Sequence, residues 1–331
     1  MFADGPSGSA LNGGVYKKLV ADSTSTDNGL STPVWVDTNN DGIADYIYAG
    51  DIKGNVWKFD VSDANAANWK VSYFGNPLFI AKDSSNNRLP ITGAPEVRFH
   101  PLGGIMVNVA TGIALSSGDF PNTSRTNGIF GVWDKPAFAM MDAATVATSL
   151  PRLANLQVRT LNNVGTDTTT RYITGSAIDW ATMFGWYVAL PVSSEMSLSN
   201  LTITNGQLLT VTVSPPPTRT GAATDPCFDN PIARLNAMDP LTGVPSILLG
   251  TTSVVVGSTT TTYNLATVPI ADQKVRIAKD LVGKGSTQAG CASGALNCTA
   301  VEGASDQGKR LSTANDMGRI FWREIPGLKT R

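Results

Sequence analysis

The sixteen residues DYIYAGDIKGNVWKFD, positions 45–60, decide the fold class. Tyr46–Gly50 and Asn55–Val61 are rich in aromatic and β-branched residues at alternating positions, which is the period of a β-strand. Between them, Asp51 to Gly54 has the polar residues and the glycine of a short turn. The stretch therefore predicts a β-hairpin.

Strand patterns continue along most of the chain. We predict strands at Pro33–Asp37, Glu96–Phe99, Gly104–Gly112, Gly128–Asp134, Leu201–Thr204, Gln207–Val213 and Arg234–Asp239, and a hairpin within Thr251–Tyr263. Asn205-Gly206 is the strongest turn signal, because both residues accept positive φ angles. One segment, Ala271–Lys284, has mixed helical spacing and predicts a helix that ends at Gly283.

Three of the predicted strands end on an aspartate, at Asp60, Asp134 and Asp239. An apolar strand that ends on aspartate before a turn is typical of blades in quinoprotein-type β-propellers, where the carboxylate can accept hydrogen bonds from turn amides. The aspartates are further apart than the roughly 40–45 residues of one blade. The predicted fold class is therefore all-β, a modified quinoprotein-like β-propeller with long inserted loops.

Composition excludes several classes of function. Charged residues make up 15% of the 331 residues and the net charge is −1, so no electrostatic surface for nucleic acid is expected. Hydrophobic residues reach 42%, which argues against overall disorder. The sequence contains no apolar run of about 18 residues, so no transmembrane helix is predicted. Met1–Gly5 lacks the basic start of a signal peptide.

The segment Asp37-Thr38-Asn39-Asn40-Asp41-Gly42-Ile43-Ala44-Asp45 predicts a calcium (Ca2+) site. Oxygen-bearing side chains occupy positions 1, 3, 5 and 9, at Asp37, Asn39, Asp41 and Asp45. Gly42 at position 6 allows a sharp turn, and the carbonyl of Ile43 at position 7 can point inward, as in the first half of an EF-hand loop.

The loop departs from an EF-hand in ways that shape the prediction. Position 12 is Tyr48 rather than a bidentate glutamate, so Asp45 must close the site. The flanking segments are strands, and the donor set is only modestly charged, so we expect an affinity between about 10⁻⁶ and 10⁻³ M. Magnesium, which requires a tight octahedron, fits less well, and the alternative without metal is an Asn/Asp-rich turn.

The same region resembles one family. Asn28–Val34, the acidic loop and Asp45–Asp60 are similar to the C-terminal domain of PilY/PilC-type type IV pilus biogenesis factors and tip adhesins. Shorter matches follow in the same order, at Pro90–Val97, Gly185–Pro191, Asn236–Gly243 and Gly318–Glu324. Together they extend from about residue 28 to the end.

The resemblance implies a calcium-binding β-propeller that acts in type IV pilus (fimbrium) assembly, retraction control and cell adhesion. It implies secretion to the pilus tip or outer cell surface, with minor pilins, the pilus tip, and host or abiotic surfaces as partners. Family members are longer, so we expect a C-terminal piece, with the signal peptide upstream. The expected division is a lead-in or truncated element at 1–27 and the propeller domain at 28–331. The sequence does not decide whether the propeller forms a closed ring.

Enzyme interpretations are weaker. A Ser-His-Asp triad would need His100, the single histidine, and a lone histidine beside a strand is more often structural. The alternative function is a calcium-dependent quinoprotein dehydrogenase-like enzyme, but a contiguous calcium loop leaves little room for a quinone to share the ion. We therefore predict that the chain is not an enzyme.

The three cysteines leave their pairing open. Cys291 and Cys298 flank a small-residue loop that a disulfide would stabilise by about 2–3 kcal/mol in the chain-entropy model. Free thiols are the alternative, and zinc would need four ligands that this region does not supply. Cys227 is left over in either case.

Overall fold

The computed structural model describes residues 17–116, 118–215, 231–255 and 258–270 in full, and the backbone alone at 10–11, 14–15, 256, 276–280, 297–302 and 310–313. Strands dominate these residues, and the α-helix among them is the short α1, Ala143–Ser149. The all-β prediction is confirmed.

The strands fall into four sheets that follow one another along the chain. The first, of two strands, contains β1 Ala10–Leu11 and β2 Gly14–Val15. The second contains β3 Val34–Val36, β4 Tyr46–Gly50, β5 Asn55–Asp60, β6 Lys70–Val71 and β7 Phe79–Ile80. The third contains β8 Glu96–Phe99, β9 Ile105–Ala110, β10 Gly128–Asp134, β11 Gln157–Val164, β12 Asp167–Thr174, β13 Gly185–Ala189, β14 Met196–Ser197, β15 Thr202–Thr204, β16 Gln207–Ser214, β17 Ile232–Met238, β18 Thr251–Val256 and β19 Thr259–Ile270. The fourth contains β20 Arg276–Asp280, β21 Asn297–Glu302 and β22 Arg310–Thr313.

The five-stranded sheet is an antiparallel meander. Its order is β3-β4-β5-β6, with β7 also paired to β5. Strand β5 is buried on both faces because the sheet packs against neighbouring elements on each side. This explains why both sets of alternating side chains in β5, Val56 and Lys58 as well as Trp57 and Phe59, are enclosed.

The twelve-stranded sheet curls into a half-barrel. Strand β8 lies at one end, whereas β14 and β15 both pair with β16 at the other. The chain just after β9 reaches β14 through a hydrogen bond from the Ser197 amide to the Thr111 carbonyl (3.0 Å). The Ala94 amide likewise donates to Asn200 Oδ1 at 2.9 Å. These bonds bring the two ends of the curled sheet together.

Buried apolar side chains join the two large sheets. One core cluster includes Val36, Tyr48 and Val56 from the five-stranded sheet and Val107 and Phe130 from the twelve-stranded sheet. Burial of a side chain of this size stabilises the fold by about 1.5–3 kcal/mol. The hairpin that carries the acidic loop is therefore held against the larger sheet by its own core residues.

Several predictions of local structure can be compared with this fold. Strands β4 and β10 have the predicted bounds, and the hairpin across Asn205-Gly206 pairs Thr204 with Gln207. The helix predicted at Ala271–Lys284 is wrong over β20, which pairs with β21 and so overrides the weak helical spacing. The rest of that segment, with Cys227, Cys291 and Gly318–Glu324, lies outside the described residues; Cys298 falls in β21.

The aspartates that end three strands behave in two ways. Asp239 accepts the amides of Leu241 (3.0 Å) and Thr242 (2.8 Å), and Asp60 accepts the amide of Ser62 at 3.2 Å, as predicted for turn residues. Asp134 differs, because it is buried against the five-stranded sheet. Within the described residues, no helix is long and apolar enough to cross a membrane.

Candidate functional site

The predicted calcium loop is the connection between β3 and β4. Val36 pairs with Tyr46, so Asp37 and Asp45 face each other at the end of the ladder. The Asp45 amide donates to the Val36 carbonyl at 2.8 Å, and the Asp45 carbonyl accepts from the Val61 amide at 2.9 Å. The loop base is therefore fixed both to β3 and to the chain leaving β5.

Asp37 organises the first half of the loop. Its Oδ1 atom accepts the amides of Asn40 (2.6 Å) and Asp41 (3.3 Å), and its Oδ2 atom accepts the amide of Gly42 (2.8 Å). Positive φ angles at Asn40 (63°) and Gly42 (89°) turn the backbone around this carboxylate. Since a carboxylate has about four lone-pair sites, these three bonds leave Asp37 with remaining acceptor capacity.

The next two oxygen donors contact each other. Asn39 Nδ2 donates to Asp41 Oδ2 at 3.0 Å, and Asn39 Oδ1 accepts the Asp41 amide at 2.9 Å. Asp41 Oδ1 accepts the Ile43 amide at 2.8 Å. The fold thus brings Asp37, Asn39 and Asp41 into one hydrogen-bonded turn, in which Asp37 is half-buried and the other two are exposed.

Asp45 is oriented differently from the other carboxylates. It is buried, and its Oδ2 atom accepts the Thr38 amide at 2.7 Å together with the Thr38 hydroxyl. The hydrogen bond from the Thr38 side chain is the largest cause that lowers the pKa of Asp45 below its usual range. Thr38 is the loop residue that sequence reasoning missed, because position 2 supplies no ligand in the EF-hand pattern.

The chemistry of the donor set fits calcium. Hard cations of this kind take six to eight oxygen ligands, and the loop offers three carboxylates, one amide oxygen and backbone carbonyls. As the side chains are placed, no group of three or more His, Cys, Asp or Glu residues in the described part of the chain converges on one point. The three carboxylates are instead turned toward N–H and hydroxyl donors of the loop.

A second aspartate beside the loop has a structural role. Asp51 is fully buried in the β4–β5 turn. Its oxygens accept from Asn28 Nδ2 (2.8 Å), Lys53 N (2.9 Å), Asn55 N (2.8 Å), Asn55 Nδ2 (2.7 Å) and Trp57 Nε1 (2.8 Å). The sequence signal was present in the Asp-x-x-Gly-Asn turn, since aspartate commonly accepts the amide two residues on. Asp51 thus holds the hairpin on which the acidic loop stands.

His100 has the surroundings of a structural residue. Its ring stacks on Trp133 with centroids 4.0 Å apart and meets the edge of Trp180 at 4.5 Å. Its Nδ1 atom accepts the Leu102 amide at 3.1 Å. Burial is the largest cause that lowers the pKa of His100, followed by the positive charge of Lys135. These contacts favour a packing role for the imidazole.

Comparison with known proteins gives one consistent family. A sequence profile described as the PilY1 beta-propeller domain matches residues 8–172. The type IV pilus biogenesis factor PilY1 of Pseudomonas aeruginosa strain PAO1 is 30% identical over 95% of this chain, which spans 29% of that relative's length. A PilY1 homolog of Xylella fastidiosa is 30% identical over 51% of this chain and 11% of its own length.

A solved structure supports the same fold. The crystal structure of the Pseudomonas aeruginosa PilY1 C-terminal domain superposes with a TM-score of 0.66 at 24% identity. The match covers 91% of this chain and 63% of that one. At this identity the likeness supports the fold, and the curated relatives are each more than three times as long as the part matched here.

Proposed function

The chain belongs to the PilY1 β-propeller family, and from that premise we propose that it is the calcium-binding domain of a factor for type IV pilus assembly, retraction control and surface adhesion. Its relatives are named as type IV pilus biogenesis factors. The observation that carries the calcium assignment is the β3–β4 loop, whose alternate residues supply oxygen donors around the turn at Gly42.

The residues proposed to hold calcium are Asp37, Asn39, Asp41, the carbonyl of Ile43, and Asp45. When bound, the ion supplies a positive charge that joins the exposed turn to the buried end of the loop. Asp37 already gathers the turn amides, and Asp45 is fixed between Thr38 and the strand ladder. Binding by Asp45 therefore requires its carboxylate to share or exchange the Thr38 bonds, which limits the affinity.

The domain is proposed to act at the pilus tip or outer cell surface, with minor pilins or the pilus tip as partners and with host or abiotic surfaces as adhesion targets. The resemblance implies that calcium occupancy biases pilus extension against retraction. A loop fixed on a buried hairpin suits this role, because ordering it stiffens one edge of the five-stranded sheet.

We expect calcium to stabilise the chain and Asp45→Ala to abolish that effect. At a free calcium concentration of 100 times Kd, binding adds about 2.7 kcal/mol, or a rise in Tm of about 5–10 °C at about 2–4 °C per kcal/mol. Thermal unfolding with calcium and with EDTA measures the shift, and calorimetric titration measures binding directly. Asp45 is the variant of choice because it replaces the missing glutamate of position 12.

Two further variants control this experiment. Asp41→Ala removes an exposed carboxylate that is a proposed calcium ligand, and it leaves the hydrogen bonds between Asp45 and Thr38 in place. It therefore distinguishes the loss of a ligand from the loss of those hydrogen bonds. Asp63→Ala removes another turn aspartate, which accepts the Asn65 amide at 2.7 Å outside the loop, and should keep the full calcium shift. Absence of calcium heat in the unmutated chain would refute the site.

The pilus role is tested in the bacterium that carries the whole protein. We expect Asp45→Ala to reduce the number of surface pili, and deletion of the retraction motor to restore them, because the domain would then no longer oppose retraction. Electron microscopy of sheared pili gives the count, with Asp63→Ala as the matched control. Unchanged piliation despite lost calcium binding would separate the calcium site from the pilus function.

A further inference from the structure

Strands β11 and β13 are parallel neighbours only over a short stretch. Gln157, Val158 and Arg159 pair with Trp186, Tyr187 and Val188, and the pairing then stops. From Thr160 onward β11 pairs with β12 on its other side, whereas β13 continues against β10 as far as Ala189. The two strands separate, and a cleft of about 490 Å³ opens between them.

Thr160 and Leu161 line one wall of this cleft, at the start of a strand edge that has no neighbouring strand on this side in the described part of the chain. Backbone N–H and C=O groups of successive strand residues point to alternate sides, so half of those in 160–164 point away from β12. Among the described residues, the backbone pairs recorded for this half of β11 are those with β12. Thr160 and Asn163 are exposed on this edge. Such an edge is a template for pairing with another chain.

The floor of the cleft is apolar. Leu89, Phe130 and Leu190 form its base with at most 1% of their surface exposed, so the accessible apolar surface comes from the residues above them. Tyr187 also lines it and stacks on Phe130, with centroids 5.9 Å apart and planes inclined by 15°. Val158 is half exposed at the mouth. This floor can accept one or two apolar side chains that point inward from an extended segment at alternate positions.

The rim of the cleft is positively charged. Lys82 Nζ donates to the neutral Asn86 Oδ1 at 2.8 Å, and Arg125 makes only a long ion pair of 3.7 Å with Asp119. Asp83, the acidic residue lining the cleft, accepts the amides of Ser85, Asn87 and Thr126. Burial alone would raise the pKa of Asp83, but hydrogen bonds from Asn87 and the neighbouring amides outweigh it and lower the pKa.

Arg159 also lines the cleft, yet its guanidinium points elsewhere. Its Nε atom donates to the Thr242 carbonyl at 2.8 Å, and its Nη1 atom to the Ser176 carbonyl. The two cations of the lining that are not held by backbone carbonyls are therefore Lys82 and Arg125, and Arg125 shares its charge with Asp119. Their partner would be an anion, which in a peptide is a carboxylate.

We propose that this cleft binds an extended, acidic peptide segment of a partner protein, which adds as a strand to the edge of β11. The unpaired edge favours a peptide, because its N–H and C=O groups are matched by those of another strand. Five residues, 160–164, span about 16 Å at about 3.3 Å per residue, which suits a segment of five or six residues. The cationic rim selects acidic side chains, and the cleft is independent of the calcium loop.

Selection from a library of random seven-residue peptides displayed on phage tests this proposal with the full chain as bait. We expect the enriched peptides to contain Asp or Glu beside alternating apolar residues and to lack proline at their centre. A synthetic copy of the most enriched peptide should bind at least tenfold more weakly to the Lys82→Glu/Arg125→Glu double variant. The Lys70→Glu variant, which reverses the charge at an exposed position on β6, should bind the synthetic peptide as tightly as the unmutated chain does.

N-methylation of the synthetic peptide tests whether the peptide pairs with β11 through its backbone amides. Methyl groups on the alternate amides that face β11 should abolish binding, whereas methyl groups on the intervening amides should leave it nearly unchanged. Equal loss from both sets, enrichment of peptides without acidic residues, or no enrichment above the bare support would each overturn the proposal.

Discussion

Glu195→Gln is expected to lower the free energy of unfolding by about 3–5 kcal/mol, because it leaves two buried guanidinium groups without their carboxylate. Glu195 and Arg171 are fully buried, and Arg234 nearly so. Arg171 Nη1 lies 3.0 Å from each carboxylate oxygen, and Arg234 Nη1 lies 4.0 Å from Oε1. Thr212 donates its hydroxyl to the same Oε1 atom at 2.7 Å.

Asp167 is the further negative charge that acts on Arg234, whereas the hydrogen-bond partners of the two arginines around this cluster carry no charge. Arg171 and Arg234 donate through Nε to the Thr168 carbonyl at 2.9 and 3.3 Å, and Arg234 also donates to Ser214 Oγ at 2.8 Å. These partners are neutral. Burial is the largest cause that lowers the pKa of Arg234, which reflects the cost of keeping its charge inside the sheet. Glutamine keeps the shape of Glu195 but removes the compensating charge.

Chemical denaturation of the purified chain measures this loss. Asp179→Asn, a change at an exposed carboxylate, should stay within about 0.5 kcal/mol of the unmutated chain. Adding Arg171→Met to Glu195→Gln should recover part of the stability, since one of the two unpaired charges is then gone. A loss below about 1 kcal/mol for Glu195→Gln would contradict this prediction. It would mean that the two guanidinium groups are not left as uncompensated buried charges in the variant.

Local patterns in the sequence were sufficient for the hairpins. The alternation in 45–60 and the Asn205-Gly206 turn act over a few residues, and the structure has both, with φ of 51° at Asn205 and 75° at Gly206. The turn around Asp37 is equally local, since its carboxylate accepts amides only three to five residues away. The contacts of Asp45 were harder to predict from the sequence, because its hydrogen bond to Thr38 competes with the ligand role that its position in the loop suggests.

Local sequence patterns could not predict the contacts between residues that are distant along the chain. The cleft exists because β11 runs parallel to β13 for three residues and then leaves it, and no residue type marks that point of separation. Lys58 and Asp134 are 76 positions apart, and each looks like an ordinary strand residue in its own segment. Their pairing depends on how two sheets pack, which a local pattern does not encode.

Asp134→Ala is the second substitution expected to have a large effect, again about 3–5 kcal/mol, because it removes the carboxylate that joins the two large sheets. Asp134 ends β10 in the twelve-stranded sheet, and its Oδ2 atom lies 2.8 Å from Lys58 Nζ on β5. The same Oδ2 atom accepts the Tyr48 hydroxyl at 2.5 Å, and Oδ1 accepts the Tyr73 hydroxyl. Burial first, and the charge of Asp134 second, raise the pKa of both tyrosines well above the ordinary value.

The alanine variant leaves Lys58 buried with weaker partners. Its ammonium lies 3.9 Å from the centroid of the Tyr46 ring, and such a contact contributes about 0.5–2 kcal/mol, less than the buried pair. The hydroxyls of Tyr48 and Tyr73 also lose their acceptor, and each unsatisfied buried group costs about 1–3 kcal/mol. The hairpin that carries the acidic loop would then lose this polar link to the larger sheet and keep its apolar contacts with it.

The double variant Lys58→Met/Asp134→Leu separates charge from packing. Because apolar residues of similar volume often replace a buried ion pair without loss, we expect it to be more stable than Asp134→Ala by at least about 1 kcal/mol, despite two changes. Denaturant unfolding of Lys58→Met, Asp134→Leu and the double variant, with Lys70→Met as a control at an exposed lysine, measures the coupling between the two positions. If the double variant were as unstable as the sum of its single changes, Lys58 and Asp134 would be acting independently, and the attachment of the loop hairpin would rest on the surrounding apolar core.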